Sequence, residues 1–260
     1  MNPMDGIRFA FGTLTALPVR VTRWDREAAR AGMLWAPLAG LVIGACAAAA
    51  GGFFLLLGSG PLLAAVATAA VPAALTRGLH LDGLADVADG LGSAKPAEDA
   101  LRIMKQSDIG PFGVLTLVFV LLGQVAVLTE LYAESWARGA VATAVAAVTA
   151  RLTLTLTCRP TVPPARPDGL GAAVAGVVPP RAAAGVAVLV AAGCAAGAWA
   201  LLGLGAALHH GLAVVAGLLA AQLLLTHCVR RFGGVTGDVF GAVAETATTT
   251  ALIVSVLGAG

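Results

Sequence analysis

"AGMLWAPLAGLVIGACAAAAGGFFLLLGSGPLLAAVATAAVPAALT", residues 31–76, runs for 46 residues without an Asp, Glu, Lys or Arg. A helix crossing the hydrocarbon core of a bilayer needs roughly 20 apolar residues. The stretch therefore holds two crossings, and Ser59-Gly60-Pro61 offers the break between them. A second uncharged stretch covers the 48 residues 182–229, with the His209-His210-Gly211 region as its expected turn. Single spans over residues 112–129, 139–157 and 239–257 bring the total to about seven. The 260-residue chain is 58% hydrophobic and only 12% charged, with a mean hydropathy of +0.90. A soluble domain carries about 25% charged residues, so a water-facing globule is excluded. The expected fold is all-α: a polytopic helical bundle in the membrane, forming one domain over residues 1–260.

The charges give this bundle a direction. Threading seven spans collects 15 of the 16 Lys and Arg residues on one side and leaves only Arg138 opposite. Basic residues mark cytoplasmic loops, so the N-terminus is expected in the cytoplasm. Residues 1–30 then form a cytoplasmic or interfacial segment, with "IRFAFGTLTALPV" (residues 7–19) as a short amphipathic piece. No cleavable signal is expected, because charges are scattered through these residues. Residues 77–111 form a cytoplasmic loop. The formal net charge of +2 says little about partners, and no nucleic acid is expected among them. Cys46, Cys158, Cys194 and Cys228 match no metal spacing and read as small apolar packing residues.

Against this background "LHLDGLADVADGLG" (residues 79–92) sets Asp82, Asp86 and Asp89 within eight residues. On a helix they stand at i, i+4 and i+7, within an arc of about 60°. Unpaired anions this close repel one another unless a cation intervenes. Magnesium commonly takes one or two carboxylates together with substrate phosphates. Gly83 and Gly90 remove bulk beside the stripe, which would let a ligand approach the backbone. The plainer alternative is a solvated acidic loop. A second cluster, "RRFGGVTGDVFGAVAET" (residues 230–246), repeats the spacing with Asp238 and Glu245. Glu245 lies inside an otherwise uncharged span, where an ionisable group is costly and points to function. Gly233, Gly234 and Gly237 lead to a helix N-terminus, a natural seat for phosphate oxygens, although a plain turn reads the same way.

Between the clusters, "EDALRIMKQSDIGPFG" (residues 98–113) reads as an interfacial helix ending near Gly110-Pro111, with Glu98 and Arg102 at pairing distance. Arg102 and Lys105 either contact phosphate or form a solvated face. Arg151 sits near the end of a span, as a pyrophosphate partner or a residue snorkelling to the headgroups. His80 is a candidate for deprotonating a hydroxyl, although a helix points it away from the stripe.

These residues resemble the cobalamin synthase family, the adenosylcobinamide-GDP ribazoletransferases. "LHLDGLADVADGLG" looks like its signature, "ALRIMKQSDIGPFGVLTL" its next block and "GGVTGDVFGAVAE" its C-terminal one; "TLTALPV" and "APLAGLVIGA" also fit. The likeness covers nearly the whole chain. It departs after "IMK", where the family usually has an acid; here Gln106 stands there and Asp108 follows two positions later. The resemblance implies a Mg²⁺-dependent transfer of the adenosylcobinamide-phosphate moiety from adenosylcobinamide-GDP to α-ribazole or its 5′-phosphate, with GMP released. It implies a multi-pass protein of the bacterial cytoplasmic (inner) membrane with its active site facing the cytoplasm; homo-oligomerisation stays open. The metal ligands expected are Asp82, Asp86, Asp89, Asp238 and Glu245. His80, Arg151 and Lys105 are the catalytic candidates, and Arg102, Ser107, Gly234, Thr236 and Gly237 the substrate-binding ones.

Two other readings compete. CDP-alcohol phosphotransferases and membrane prenyltransferases also use aspartate stripes. The former show Asp-Gly-x-x-Ala-Arg, and here Asp86 and Val87 stand where Ala-Arg would fall. "GDVFGAVAE" is a poor second copy for the latter. A cation-coupled transporter would gather its ionisable residues near the bilayer midplane in related halves, which this chain does not do.

Overall fold

The computed structural model describes residues 3–257. Within them all the regular structure is helical, with no strand and one isolated bridge between Pro164 and Val235. The helices are α1 (Pro3–Leu14), α2 (Arg26–Leu56), α3 (Pro61–Leu75), α4 (Leu79–Gly92), α5 (Ala97–Ile103), α6 (Pro111–Glu134), α7 (Trp136–Thr157), α8 (Gly169–Val174), α9 (Pro180–Leu202), α10 (Leu204–Phe232) and α11 (Gly237–Val256). Six of them, α2, α6, α7, α9, α10 and α11, are long and apolar enough to cross a bilayer. The protein is therefore a multi-pass membrane protein, and α3 with α4 makes the seventh candidate only as a pair bent by 87°.

That bend has a local cause. Arg77 (φ 57°) and Gly78 (φ 71°) are consecutive left-handed residues, a conformation a right-handed helix cannot continue through. With 15 residues, α3 reaches about 22 Å, short of the roughly 30 Å hydrocarbon core. α4 turns nearly perpendicular to it. Carrying three aspartates and 14 residues long, α4 is too short to cross alone and packs on the first turns of α6 and α11, at the basic end of the bundle.

Other boundaries follow from their capping residues. Asp25 caps α2, accepting from the N–H groups of Glu27 and Ala28, both at 3.0 Å, and Arg23 bridges Asp25 and Glu27. Proline opens α3, α6 and α9 at their first turns, where its missing N–H costs nothing. The second uncharged stretch breaks at Gly203 (φ 91°), not at the histidines. His209 and His210 continue α10, since imidazoles do not stop a helix and only glycine takes Gly203's conformation readily. α5 ends at Ile103, seven residues before the Gly110-Pro111 boundary expected for it, and Arg102 pairs with Asp99 rather than Glu98.

α7 is the central helix, buried along most of its length, whereas α9 is peripheral. Between helices in lipid, close packing replaces hydrophobic exclusion as the main attraction, so small residues mark the contacts. Gly40 and Gly44 of α2 meet α7 in this way; a Cβ at Gly40 would stand 2.5 Å from the Ala147 carbonyl oxygen. Cys158 and Cys228 are buried packing residues as expected, while Cys46 is exposed and Cys194 only partly covered; all four are unpaired.

Candidate active site

The site starts where α4 crosses α11. A Cβ on Gly83 would lie 2.6 Å from the Asp238 carbonyl oxygen, and one on Gly241 would lie 2.9 Å from that of His80. The two backbones touch because both contact points are glycine. Gly83 thus makes room for a neighbouring helix rather than for a ligand. Gly90 likewise accommodates the Met104 side chain, whose Cγ would stand 2.7 Å from a Cβ there. The crossing brings the Asp82–Asp86 face of α4 beside Asp238, in the first turn of α11. Thr236 caps α11, accepting from the Val239 N–H at 3.4 Å, and its hydroxyl donates to Asp238 Oδ2 at 3.0 Å.

Among the described residues none of the three carboxylates makes an ion pair, although the Arg166 charge reaches Asp86 and Asp238. Asp82 is exposed, and Asp86 and Asp238 are half-buried. Burial, then the charges of Asp238, Asp82 and Asp89, push Asp86 up to about 7, with Arg166 opposing. Oxygen donors of this kind suit a hard divalent cation. Among the described residues, however, no three His, Cys, Asp or Glu side chains converge closely enough to hold a metal by themselves.

Asp89 is used differently. Its Oδ2 accepts from the Gly110 N–H at 2.7 Å and its Oδ1 from the Gly113 N–H at 3.0 Å, and it is 7% exposed. Gly110 is the N-cap of α6, so Gly113 is its third helical residue. These are the two donors that a capping box satisfies from within a helix; here one carboxylate from α4 takes both. A lost cap of this kind costs about 0.5–2 kcal/mol. Asp89 therefore faces a helix N-terminus, a position that differs from the metal-ligand role expected of it.

Beside Asp238 opens a cleft of about 260 Å³ lined by Lys105, Arg166, Asp168, Gly171, Thr236 and Gly237, among others. Lys105 is exposed, and Gly237 leaves open space where a side chain would stand. Arg166 is the residue that sequence reading missed as a site candidate. It sits in an irregular segment, with no motif to single it out, yet its charge reaches Asp86 and its guanidinium donates to the Leu101 carbonyl. Gly234 has a different use from the phosphate seat expected: a Cβ there would stand 2.5 Å from the Pro163 carbonyl oxygen. The segment it meets pairs with α11's approach, Ala165 N–H to Val235 O and Val235 N–H to Pro163 O, both at 2.9 Å. Ser107 and Arg102 are exposed and do not line the cleft.

The remaining candidates form a separate group inside the bundle. Arg151 is 2% exposed, so it does not snorkel, and its Nε and Nη2 have no partner. It lines a small cavity of about 40 Å³ with Glu245, Gln124, Thr68 and Thr143, room for a water or two among polar groups. Glu245 accepts from Gln124 Nε2 at 3.2 Å, and Gln124 also donates to Thr249 Oγ1 at 2.9 Å. Seven residues place Glu245 about 10 Å along α11 from Asp238. His80 is enclosed too, with Nδ1 unpartnered, and it does not line the cleft beside Asp238.

The family model described as cobalamin-5-phosphate synthase matches residues 6–256. The chain is 43% identical to an adenosylcobinamide-GDP ribazoletransferase of Frankia casuarinae, over 95% of this chain and 93% of that one. It is 40% identical to one of a Nocardioides species, over 96% and 97%, and 38% identical to one of Bradyrhizobium diazoefficiens, over 98% and 94%. No solved structure matches. A match across nearly every spanning helix and both acidic clusters leaves one assignment: the chain belongs to the cobalamin-5-phosphate synthase family.

Proposed function

We propose that the protein transfers the adenosylcobinamide-phosphate moiety from adenosylcobinamide-GDP to α-ribazole or α-ribazole 5′-phosphate, a late step of cobalamin synthesis. An acceptor hydroxyl oxygen bonds to the corrinoid-side phosphorus, the bond from that phosphorus to the GMP oxygen breaks, and GMP leaves. The observation that carries this reading is the meeting of Asp82 and Asp86 with Asp238 beside a cleft holding Lys105 and Arg166. Family membership supports it.

Carboxylate oxygens are the donors Mg²⁺ takes, together with substrate phosphates. Asp82, Asp86 and Asp238 would hold it, the phosphate oxygens of the donor completing its shell, as magnesium prefers. When bound, it neutralises charge on the diphosphate and on the leaving phosphate. Lys105 and Arg166 line the same cleft as Asp238 and would stabilise charge as it builds there. Thr236 holds Asp238 in orientation. Arg151, Glu245 and His80 lie inside the bundle and do not line the cleft; Glu245 joins α11 to α6 through Gln124. The basic end bearing the site faces the cytoplasm of the bacterial inner membrane, a reading supported by the distribution of Lys and Arg.

The test is GMP release by purified protein in nanodiscs given adenosylcobinamide-GDP and α-ribazole. GMP and a cobalamin product are expected together, only with both substrates, and EDTA abolishes both. GMP formed without the acceptor, or with EDTA present, would contradict the reading.

A further inference from the structure

The α5–α6 connection is fastened to α4 at three points within four residues. Met104, 2% exposed, packs on Gly90, where a Cβ would stand 2.7 Å from its Cγ. The N–H groups of Gly110 and Gly113 are held by Asp89. The Phe112 ring lies on Gly92, its Cδ2 2.5 Å from where a Cβ would be. Between the first fastening and the second, residues 105–109 are all exposed. The loop that carries Lys105 to the cleft is thus anchored at both ends on the last turn of α4. At its start the Lys105 and Gln106 N–H groups donate to the Arg102 and Ile103 carbonyls, at 3.2 and 3.0 Å.

Glycine is required on both sides of the clamp. A Cβ on Gly110 would stand 2.4 Å from Asp89 Oδ1, and one on Gly113 would stand 2.5 Å from Oδ2. The carboxylate occupies the space two side chains would need, and its two oxygens each take one amide hydrogen. A charged acceptor on backbone N–H groups at a helix start is among the stronger hydrogen-bonding arrangements, and the helix dipole favours it further.

We propose that Asp89 is a positioning residue: by clamping the Gly110 and Gly113 amides it fixes the 105–109 loop so that Lys105 stands over the phosphate cleft. The role rests on the reading of that cleft as the substrate-phosphate site. It separates Asp89 from Asp82 and Asp86, although all three share one helical stripe.

The experiment compares Asp89→Ala, Asp89→Asn, Gly113→Ala and the double variant Asp89→Ala/Gly113→Ala in nanodiscs. It reads steady-state GMP release over a range of Mg²⁺ and donor, and tryptic cleavage after Lys105. Asp89→Ala and Gly113→Ala are each expected to raise the donor KM by about tenfold, a loss of positioning. The Mg²⁺ concentration for half activation should stay within about twofold, and cleavage after Lys105 should speed up about tenfold as the loop opens locally. The double variant should be little worse than either single one, because both break the same contact. Asp89→Asn keeps one acceptor oxygen and should fall between; it also serves where an alanine variant does not insert. A rise of tenfold or more in the Mg²⁺ requirement for the Asp89 variants, with Gly113→Ala normal and Lys105 still protected, would overturn the proposal and make Asp89 a ligand. The proteolysis arm needs no turnover, so it tests the clamp even if the transfer reaction itself fails.

Discussion

Asp82, Asp86 and Asp89 lie on one stripe, yet they pass from exposed to half-buried to buried along it. Spacing alone makes them equivalent; only the partners met by each tell them apart. The stripe was legible in the sequence because i, i+4, i+7 spacing is local. The use of Asp89 was not, because its partners are amides 21 and 24 residues away. Arg166 escaped for the same reason, and so did the grouping of Arg151 with Glu245 in one cavity, though each was singled out on its own. Asp86 carries a pH prediction. Its carboxyl is raised to about 7 by burial and its acidic neighbours, so without metal its contribution to stability is present at low pH and lost as pH rises through about 7. A cation bound there must displace that proton. Half-activating Mg²⁺ should therefore fall by up to about tenfold per pH unit between about pH 5 and 7, and level off above. Titrating activity with Mg²⁺ at each pH checks this, and Asp86→Asn should flatten the profile.

At the scale of elements, the decisive feature is the contact between α4 and α11. The spans themselves were readable from hydropathy, since a charge-free run of twenty residues has few other uses. Gly83 and Gly90 were visible too, but a glycine in a sequence does not say what fills the space it leaves. Here the answer is helix backbone and a methionine side chain. The left-handed pair Arg77–Gly78 likewise sets α4 at 87° to α3. Gly83→Ala and Gly241→Ala each force a Cβ into the facing backbone, an overpacking that costs about 1–3 kcal/mol. Both should lower the thermal unfolding temperature in detergent and separate Asp238 from Asp82 and Asp86, with GMP release falling more than protein yield. Normal stability and activity in both variants would mean the crossing is looser than its geometry requires.

The whole molecule is polar from end to end. α1, α4, α5, α8 and the start of α11 gather at the end that carries nearly all the Lys and Arg, and the short turns near residues 57–60, 135 and 203 lie at the other. This asymmetry follows from sequence alone, since basic residues resist translocation. In a cysteine-free background, a thiol at Ser59→Cys should react with a membrane-impermeant maleimide in intact spheroplasts. One at Ser107→Cys should react only after permeabilisation. The reverse pattern would invert the orientation. Under the proposed function, two helices rather than one motif build the site that takes Mg²⁺. The most direct measurement is the Mg²⁺ dependence of GMP release for Asp238→Asn beside Asp86→Asn. Both should raise the Mg²⁺ needed for half activation by tenfold or more, a loss of metal binding rather than of folding. An unchanged Mg²⁺ requirement in Asp238→Asn, with only Asp86→Asn affected, would show that α11 does not contribute to the site.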